Sequence, residues 1–231
     1  RGLGDVYKRQ LLTAKEPLIR TRPFRAPHHT VSVQALTGGG RRPKPGEISL
    51  ATGGILFLDE FPEFSRAALE TLRQPLEERE VTVSRVEASV TYPANFQLVA
   101  AMNPCPCGHF PDRSRCRCTD GQITRYLQKV SGPMLDRIDI CVEASPITYG
   151  DIRSSGNNES SREIRARVEQ ARKIQGERFA GENIRCNGEM SGRHIRKFCW
   201  LGREEEKFME EIFKKLALSA RMHDRILKVA R

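Results

Sequence analysis

The stretch Ile55-Leu56-Phe57-Leu58-Asp59-Glu60 decides how this chain reads. Four consecutive apolar residues after Gly53-Gly54 suit a strand of a parallel sheet covered on both faces. Two carboxylates then emerge at its C-terminal end, the edge where open α/β sheets bind ligands. Mg²⁺ takes one or two carboxylates and fills its other positions with waters and substrate phosphates. Asp59 suits that role, acting through a metal-bound water. Glu60 is placed to polarise a water that attacks a phosphoryl group. The same pair can also be read as capping the helix that starts near Ser65.

Working outward, the flanks fit an α/β fold. Gly46–Ala51 reads as a short helix ended by Gly53-Gly54. Ser65 can cap a helix with Leu69, Leu72 and Leu76 on one face, which Pro75 should kink or end. Val81–Val90 is rich in β-branched residues and suggests a hairpin. Phe96–Met102 reads as a second apolar strand, and residues 20–46 as extended loop. Past Pro146 the character changes: Ser154–Ser161 reads as a polar joint, and the chain beyond it is helical. Ile164, Val168 and Ala171 share one face there, as do Phe208, Ile212 and Leu216. No internal repeat is visible. The expected order is an α/β part over residues 11–150 and a helical part over 151–231. Residues 1–10, RGLGDVYKRQ, have no clear period and read as an artefactual segment. The helical pattern is still running at Arg231, so the C-terminus reads as cut.

A length of 231 residues allows one to two domains with a real core, and 38% hydrophobic with 29% charged residues is ordinary for a globular protein. No apolar run approaches ~18 residues, which excludes a transmembrane helix, and the start does not resemble a signal peptide. The net charge is +10, with 19 basic against 13 acidic residues in 151–231 and 20 against 16 before them. This spread favours anionic partners such as nucleotide, nucleic acid or an acidic protein face. A solvated basic surface accounts for it equally well. Seven cysteines without a secretory signal argue against disulfides and for a cytoplasmic location.

Four of these cysteines form a C-x-C-x8-C-x-C pattern: Cys105, Cys107, Cys116 and Cys118. Structural zinc takes four such ligands in a tetrahedron. The polar, turn-rich residues between the pairs offer little burial that could replace a metal. Unliganded thiols and redox chemistry are the alternatives. Cys141, Cys186 and Cys199 read as isolated residues. His28 and His29, in a Pro-rich loop, read as buried, hydrogen-bonded structural residues, with metal ligation or a partner contact as alternatives.

The longer motifs resemble those of the magnesium-chelatase-like AAA+ ATPases of the ComM/YifB type. They include Arg22-Pro23-Phe24-Arg25-Ala26-Pro27-His28-His29-Thr30, Gly38-Gly39-Gly40, and Gly46–Gly54 with Phe61-Pro62-Glu63-Phe64 around the acidic pair. They continue through Tyr92–Phe96, Ala101–Gly108, Gly132–Asp139, Leu218–Arg221 and Arg225–Arg231, so the resemblance spans residues 11–231. It implies a partial AAA+ P-loop ATPase core with a parallel sheet, followed by an α-helical lid that corresponds to a magnesium chelatase C-terminal domain. The implied cofactors are ATP and Mg²⁺, and the implied assembly is a homo-oligomeric ring, a hexamer. The family's Walker B pair falls on Asp59 and Glu60, and its sensor-1 residue on Asn103, which can also simply start a turn before Pro104. Its arginine finger falls on Arg137, for which a surface ion pair with Asp136 or Asp139 is the alternative. The sensor-2 arginine falls on Arg221, with Arg225 one helical turn further as runner-up.

One departure matters. The family's phosphate loop, G-x-x-x-x-G-K-[ST], is absent, and the chain has no Gly-Lys dipeptide. The loop is expected upstream of residue 11, and a truncated gene explains its absence more simply than a degenerate ATPase does. The chain alone should therefore bind ATP poorly. The resemblance implies an ATP-driven motor on DNA, a helicase or branch-migration factor in recombination or DNA uptake. The Val81–Val90 hairpin with Arg85 would then project into the ring pore. The alternatives are a magnesium chelatase subunit and a zinc-stabilised interaction or nucleic-acid-binding module without ATPase activity.

Overall fold

The computed structural model describes residues 21–40, 43–84, 89–144, 147, 149–153 and 159–231. The segment 1–10, Arg85 and most of the expected joint after Arg153 lie outside the described residues. The chain forms two compact units that divide between Ile138 and Asp139.

In chain order the first unit holds β1 (Phe24–Arg25), α1 (Val33–Thr37), β2 (Gly38–Gly39), β3 (Lys44–Pro45), α2 (Glu47–Leu50) and β4 (Ile55–Leu58). After these come α3 (Arg66–Thr71), α4 (Arg73–Glu78), β5 (Glu80–Ser84), β6 (Ser89–Pro93), β7 (Gln97–Ala100), α5 (Asp120–Leu127) and α6 (Gly132–Leu135). The apolar run becomes the central strand of a parallel sheet in the order β1-β4-β7. Ile55 pairs with Phe24 on one side and Gln97 on the other, and Leu58 pairs with Ala100. Leu56 and Leu58 are fully buried among Leu36, Ile48, Phe61, Leu72 and Met134. At about 25 cal/mol per Å² of apolar surface removed from water, this cluster is what holds the strand in place. The α/β expectation holds, with the sheet edges read slightly too long.

β1 is short, and polar links secure it. The Arg25 guanidinium donates to both carboxylate oxygens of Glu47 on α2, with Nε–Oε2 at 2.5 Å and Nη2–Oε1 at 2.6 Å. Glu47 in turn holds the Arg25 pKa above its usual value. The Ile55 N–H donates to the Pro23 carbonyl at 2.8 Å. That approach leaves no room at Gly54, where a Cβ would lie 1.8 Å from the Pro23 carbonyl oxygen.

The helix expected after Ser65 is two helices. The Ser65 hydroxyl accepts the Ala68 N–H at 3.2 Å, as an N-cap should. The break falls at Leu72, because Pro75 lacks an N–H and its ring crowds the carbonyl of residue 71. Leu69 and Leu72 still reach the core. The expected hairpin is the antiparallel pair β5–β6, with Val81 and Val83 buried and Thr82–Thr91 and Ser84–Ser89 hydroxyl pairs on its outer face.

The second unit is helical: α7 (Tyr149–Arg153), α8 (Ser161–Arg178), α9 (Gly192–Phe198), α10 (Arg203–Lys215) and α11 (Ala220–Ala230). Ser160 and Glu163 form a capping box at the start of α8. Its core is Phe179, Met190, Ile195, Cys199 and Leu227. The faces read from periodicity are real but not covered within this unit: Val168 is 48% exposed and Phe208 65%. Spacing says which residues share a face, not whether anything lies on it. Among the described residues no helix is long and apolar enough to cross a membrane.

Gly54→Ala should push β1 off β4 and destabilise the first unit by roughly 1–3 kcal/mol, as overpacking does. Gly53→Ala, with φ of 79° but open space around it, should cost about 1 kcal/mol or less. Urea unfolding curves of the two variants test that order.

Candidate active site

The pairing of β4 with β7 continues beyond both strands. The Ala101 N–H donates to the Leu58 carbonyl, and the Phe61 N–H to the Ala101 carbonyl, each at 2.9 Å. Asp59 and Glu60 are thus held between two fixed points and are exposed at the C-terminal edge, with Asn103 leaving the same edge two residues past Ala101. Glu60 takes a left-handed backbone conformation, φ 52°, and its N–H donates to Asp59 Oδ1 at 2.9 Å. Such a conformation costs a non-glycine residue on the order of 1 kcal/mol. It turns the chain so that Phe61 and Pro62 bury. The capping alternative fails here, because Ser65 itself caps α3.

The third strand adds a residue that sequence reasoning did not place. His29 lies beyond β1, and its Nδ1 is 2.8 Å from Glu60 Oε2. The His29 ring lies against His28, centroids 4.0 Å apart, and meets Phe64 edge-on at 6.4 Å. His28 Nδ1 pairs with the Thr30 hydroxyl at 2.9 Å. The only signal in the sequence was a histidine pair shortly after a strand too short to show periodicity.

Helix α5 braces the edge. Lys129, just past it, pairs with Glu63 through both carboxylate oxygens at 3.0 and 2.9 Å. Tyr126 receives the backbone N–H of Asn103, and burial together with the Glu63 and Glu60 charges pushes its hydroxyl pKa up.

The three arginines named from the sequence lie in different surroundings. Arg137 is buried and makes neither of the ion pairs considered for it. Its guanidinium donates to Glu77 Oε1 at 2.6 Å and to the Pro133 carbonyl at 2.5 Å, tying α6 to α4. These contacts make it an internal anchor within the first unit. Arg221 and Arg225 lie on α11 of the second unit. Arg221 is exposed, and Arg225 is half-buried with its Nε 3.5 Å from Asp139.

The four cysteines meet as their spacing suggested. All four sulfurs lie within 4.8 Å of one another. Cys105 and Cys107 are 3.4 Å apart, Cys107 and Cys116 3.6 Å, and Cys105 and Cys116 3.8 Å. The backbone N–H of His109, and also that of Arg117, draw the Cys107 thiol pKa down to about 6, against the effect of burial. Burial, and then the neighbouring Cys107, push Cys118 up to about 12.

Residues 5–152 match the family model described as magnesium chelatase, subunit ChlI, and residues 158–231 match that of the ChlI C-terminal region. The chain belongs to this family. It is 48% identical over 213 residues to the competence protein ComM of Haemophilus influenzae, which is 92% of this chain and 41% of ComM. It is 47% identical over 214 residues to YifB of Escherichia coli, again 92% of this chain and 41% of the relative. A magnesium-chelatase 67 kDa subunit of Heliobacterium mobile is 28% identical over 144 residues, covering 61% of this chain and 20% of that protein. The chain therefore spans about two fifths of the ComM and YifB relatives it matches. Its parallel sheet with a following helical unit is a partial AAA+ core and lid.

Arg137→Ala should remove an internal anchor and lower the stability of the first unit by about 1–3 kcal/mol, since it removes a buried guanidinium with its hydrogen bonds to Glu77 and to the Pro133 carbonyl. An unchanged midpoint in chemical denaturation would show that the pair with Glu77 holds nothing.

Proposed function

We propose that this chain carries the metal-binding and water-activating side of an ATP-hydrolysing AAA+ site. The observation that supports it best is that three adjacent parallel strands deliver His29, Asp59 with Glu60, and Asn103 to one edge. Asp59 would hold Mg²⁺ through water. The bound ion would neutralise charge on the phosphates. Glu60 polarises the attacking water with the carboxylate oxygen that His29 leaves available, while the His29 contact fixes its direction. The Asn103 amide orients the same water and responds to the terminal phosphate. Only this half of the site has candidates in the chain, because no Gly-Lys pair is present to cradle phosphates. Arg221, or Arg225, would contact nucleotide from the lid. Arg137 acts in a neighbouring subunit's site only if it first leaves Glu77.

In the whole protein we read this site as one of several in a homo-oligomeric ring, a hexamer, that moves on DNA as a helicase or branch-migration factor in the cytoplasm. A relative named as a competence protein and the net charge of +10 support that reading. The match to a named magnesium-chelatase subunit favours metal insertion as the second reading, but it covers less of the chain at lower identity. Zinc at the four cysteines would be structural and would take no part in phosphoryl transfer. Stimulation of hydrolysis by DNA separates the two enzyme readings.

The chain by itself should show little ATP binding in a fluorescent-nucleotide titration. Joined to the family's phosphate loop, it should bind and hydrolyse ATP. Glu60→Gln should then keep nucleotide binding and lower turnover by roughly 10²–10⁴-fold. Turnover that survives in the Glu60→Gln protein would remove Glu60 from the mechanism. In the same protein His29→Ala should lower kcat by about tenfold at unchanged KM, with His29→Asn restoring most of it through an amide that replaces Nδ1. Equal activity of all three would leave His29 without a positioning role.

A further inference from the structure

The four cysteines sit where a metal would do more than stabilise a loop. Residues 101–119 contain no helix or strand, yet they must carry the chain from the end of β7 to the start of α5. Their own core is small: Cys105, Cys116 and Ile123, with Phe110 and Cys118 packed against it, separate from the main cluster. So few apolar residues do not offset the entropy of ordering a loop of this length. Four thiolates around one ion can, since metal binding becomes folding energy when the site does not pre-exist in the unfolded chain.

The geometry suits zinc. With Zn–S bonds of about 2.3 Å, a tetrahedron places its sulfurs about 3.8 Å apart. The separations of 3.6 and 3.8 Å among Cys105, Cys107 and Cys116 are close to that edge length, the third at 3.4 Å is a little shorter, and the Cys118 sulfur lies within 4.8 Å of the others. Soft thiolates select zinc over magnesium or calcium, which prefer oxygen. Backbone amides supply an outer layer of support: the Phe110 N–H donates to Cys105 Sγ at 3.5 Å. A zinc with four thiolates carries two net negative charges, and Arg113, Arg115 and Arg117 alternate through the loop that encloses it. Arg113 also pairs with Asp120 at the start of α5, and its guanidinium lies over the Phe110 ring at 5.0 Å.

The cluster reaches the acidic edge by three routes. Cys105 lies two residues after Asn103. The turn at Gly108 sits beneath Asn103, so that a Cβ there would lie 3.9 Å from the Asn103 side-chain oxygen. Ile123, on α5, packs on the cysteines, while Tyr126 one turn later receives the Asn103 N–H and Lys129 holds Glu63.

We propose that Cys105, Cys107, Cys116 and Cys118 bind one zinc ion that latches the Asn103 segment and α5 against the acidic edge. The latch rests on the reading of the cysteines as a zinc site. The site's geometry next to the phosphoryl chemistry therefore depends on a metal bound outside it.

The test uses this chain as it stands, purified under reducing conditions. Elemental analysis should find about one zinc per chain. Cobalt substitution should give the intense thiolate-to-metal absorption and tetrahedral d–d bands of a four-sulfur site. Stripping the metal from the unaltered chain should then speed amide hydrogen exchange by roughly tenfold or more over residues 103–127. The β5–β6 hairpin and the second unit's core should stay protected. Cys116→Ser should reproduce the effect, and Cys186→Ser should not; if Cys116→Ser fails to fold, the stripped unaltered chain decides. A chain with no zinc and no cobalt spectrum overturns the zinc reading and the latch with it. Zinc whose removal leaves exchange at 103–127 unchanged, or unfolds both units alike, keeps the metal site and overturns the latch.

Discussion

The structure depends on β4 lying between β1 and β7 with all three strands running the same way. Parallel strands share one C-terminal edge, so the residues just past each of them are delivered to the same place. Leu56 and Leu58, fully buried, fix the middle strand against the helices. The bonds from Ala101 to Leu58 and from Phe61 to Ala101 carry the register one step further, up to the carboxylates. Without that continuation Asp59 and Glu60 would lie in a loop. With it they are bounded on both sides by backbone hydrogen bonds.

Around this edge lie three cross-braces of unequal worth. Lys129–Glu63 is half-exposed, and such pairs contribute between nothing and about 1 kcal/mol. Arg25–Glu47 is bidentate and partly buried, so its fixed geometry does more to hold β1 against α2. Arg137–Glu77 has one partner almost wholly buried, and removing Glu77 would leave that guanidinium desolvated without its carboxylate. The braces that matter most are thus the ones that secure short elements, β1 with two residues and α6 with four, which could not hold their places by apolar burial alone.

The helical unit obeys a different rule. Its core is five residues with a few neighbours, while α8 has no buried residue over its 18-residue length. Its helices are set by caps and charge pairs: the Ser160–Glu163 box, and Glu182 drawing in Lys197 and then Arg193, which lowers the Glu182 pKa. Local sequence therefore specifies this unit's helices more completely than it specifies their packing.

Much of the site could be read without the fold. An apolar run followed by Asp59-Glu60 announces a strand and its edge, because burial and exposure switch at a single residue. The next strand announces Asn103 in the same way, and the cysteine spacing announces a cluster. Sequence alone left His29 and Arg137 undecided, for one reason. Each takes its role from a partner distant in the chain, Glu60 for the first and Glu77 for the second, 60 residues from Arg137. Periodicity reports only neighbours within an element, and β1, with two residues, has too few to show any. The sequence by itself determined which residue types stand at the edge and in the cluster. The tertiary structure decided which of them touch, since hydrogen bonds and ion pairs form over a few ångströms of space whatever their separation along the chain.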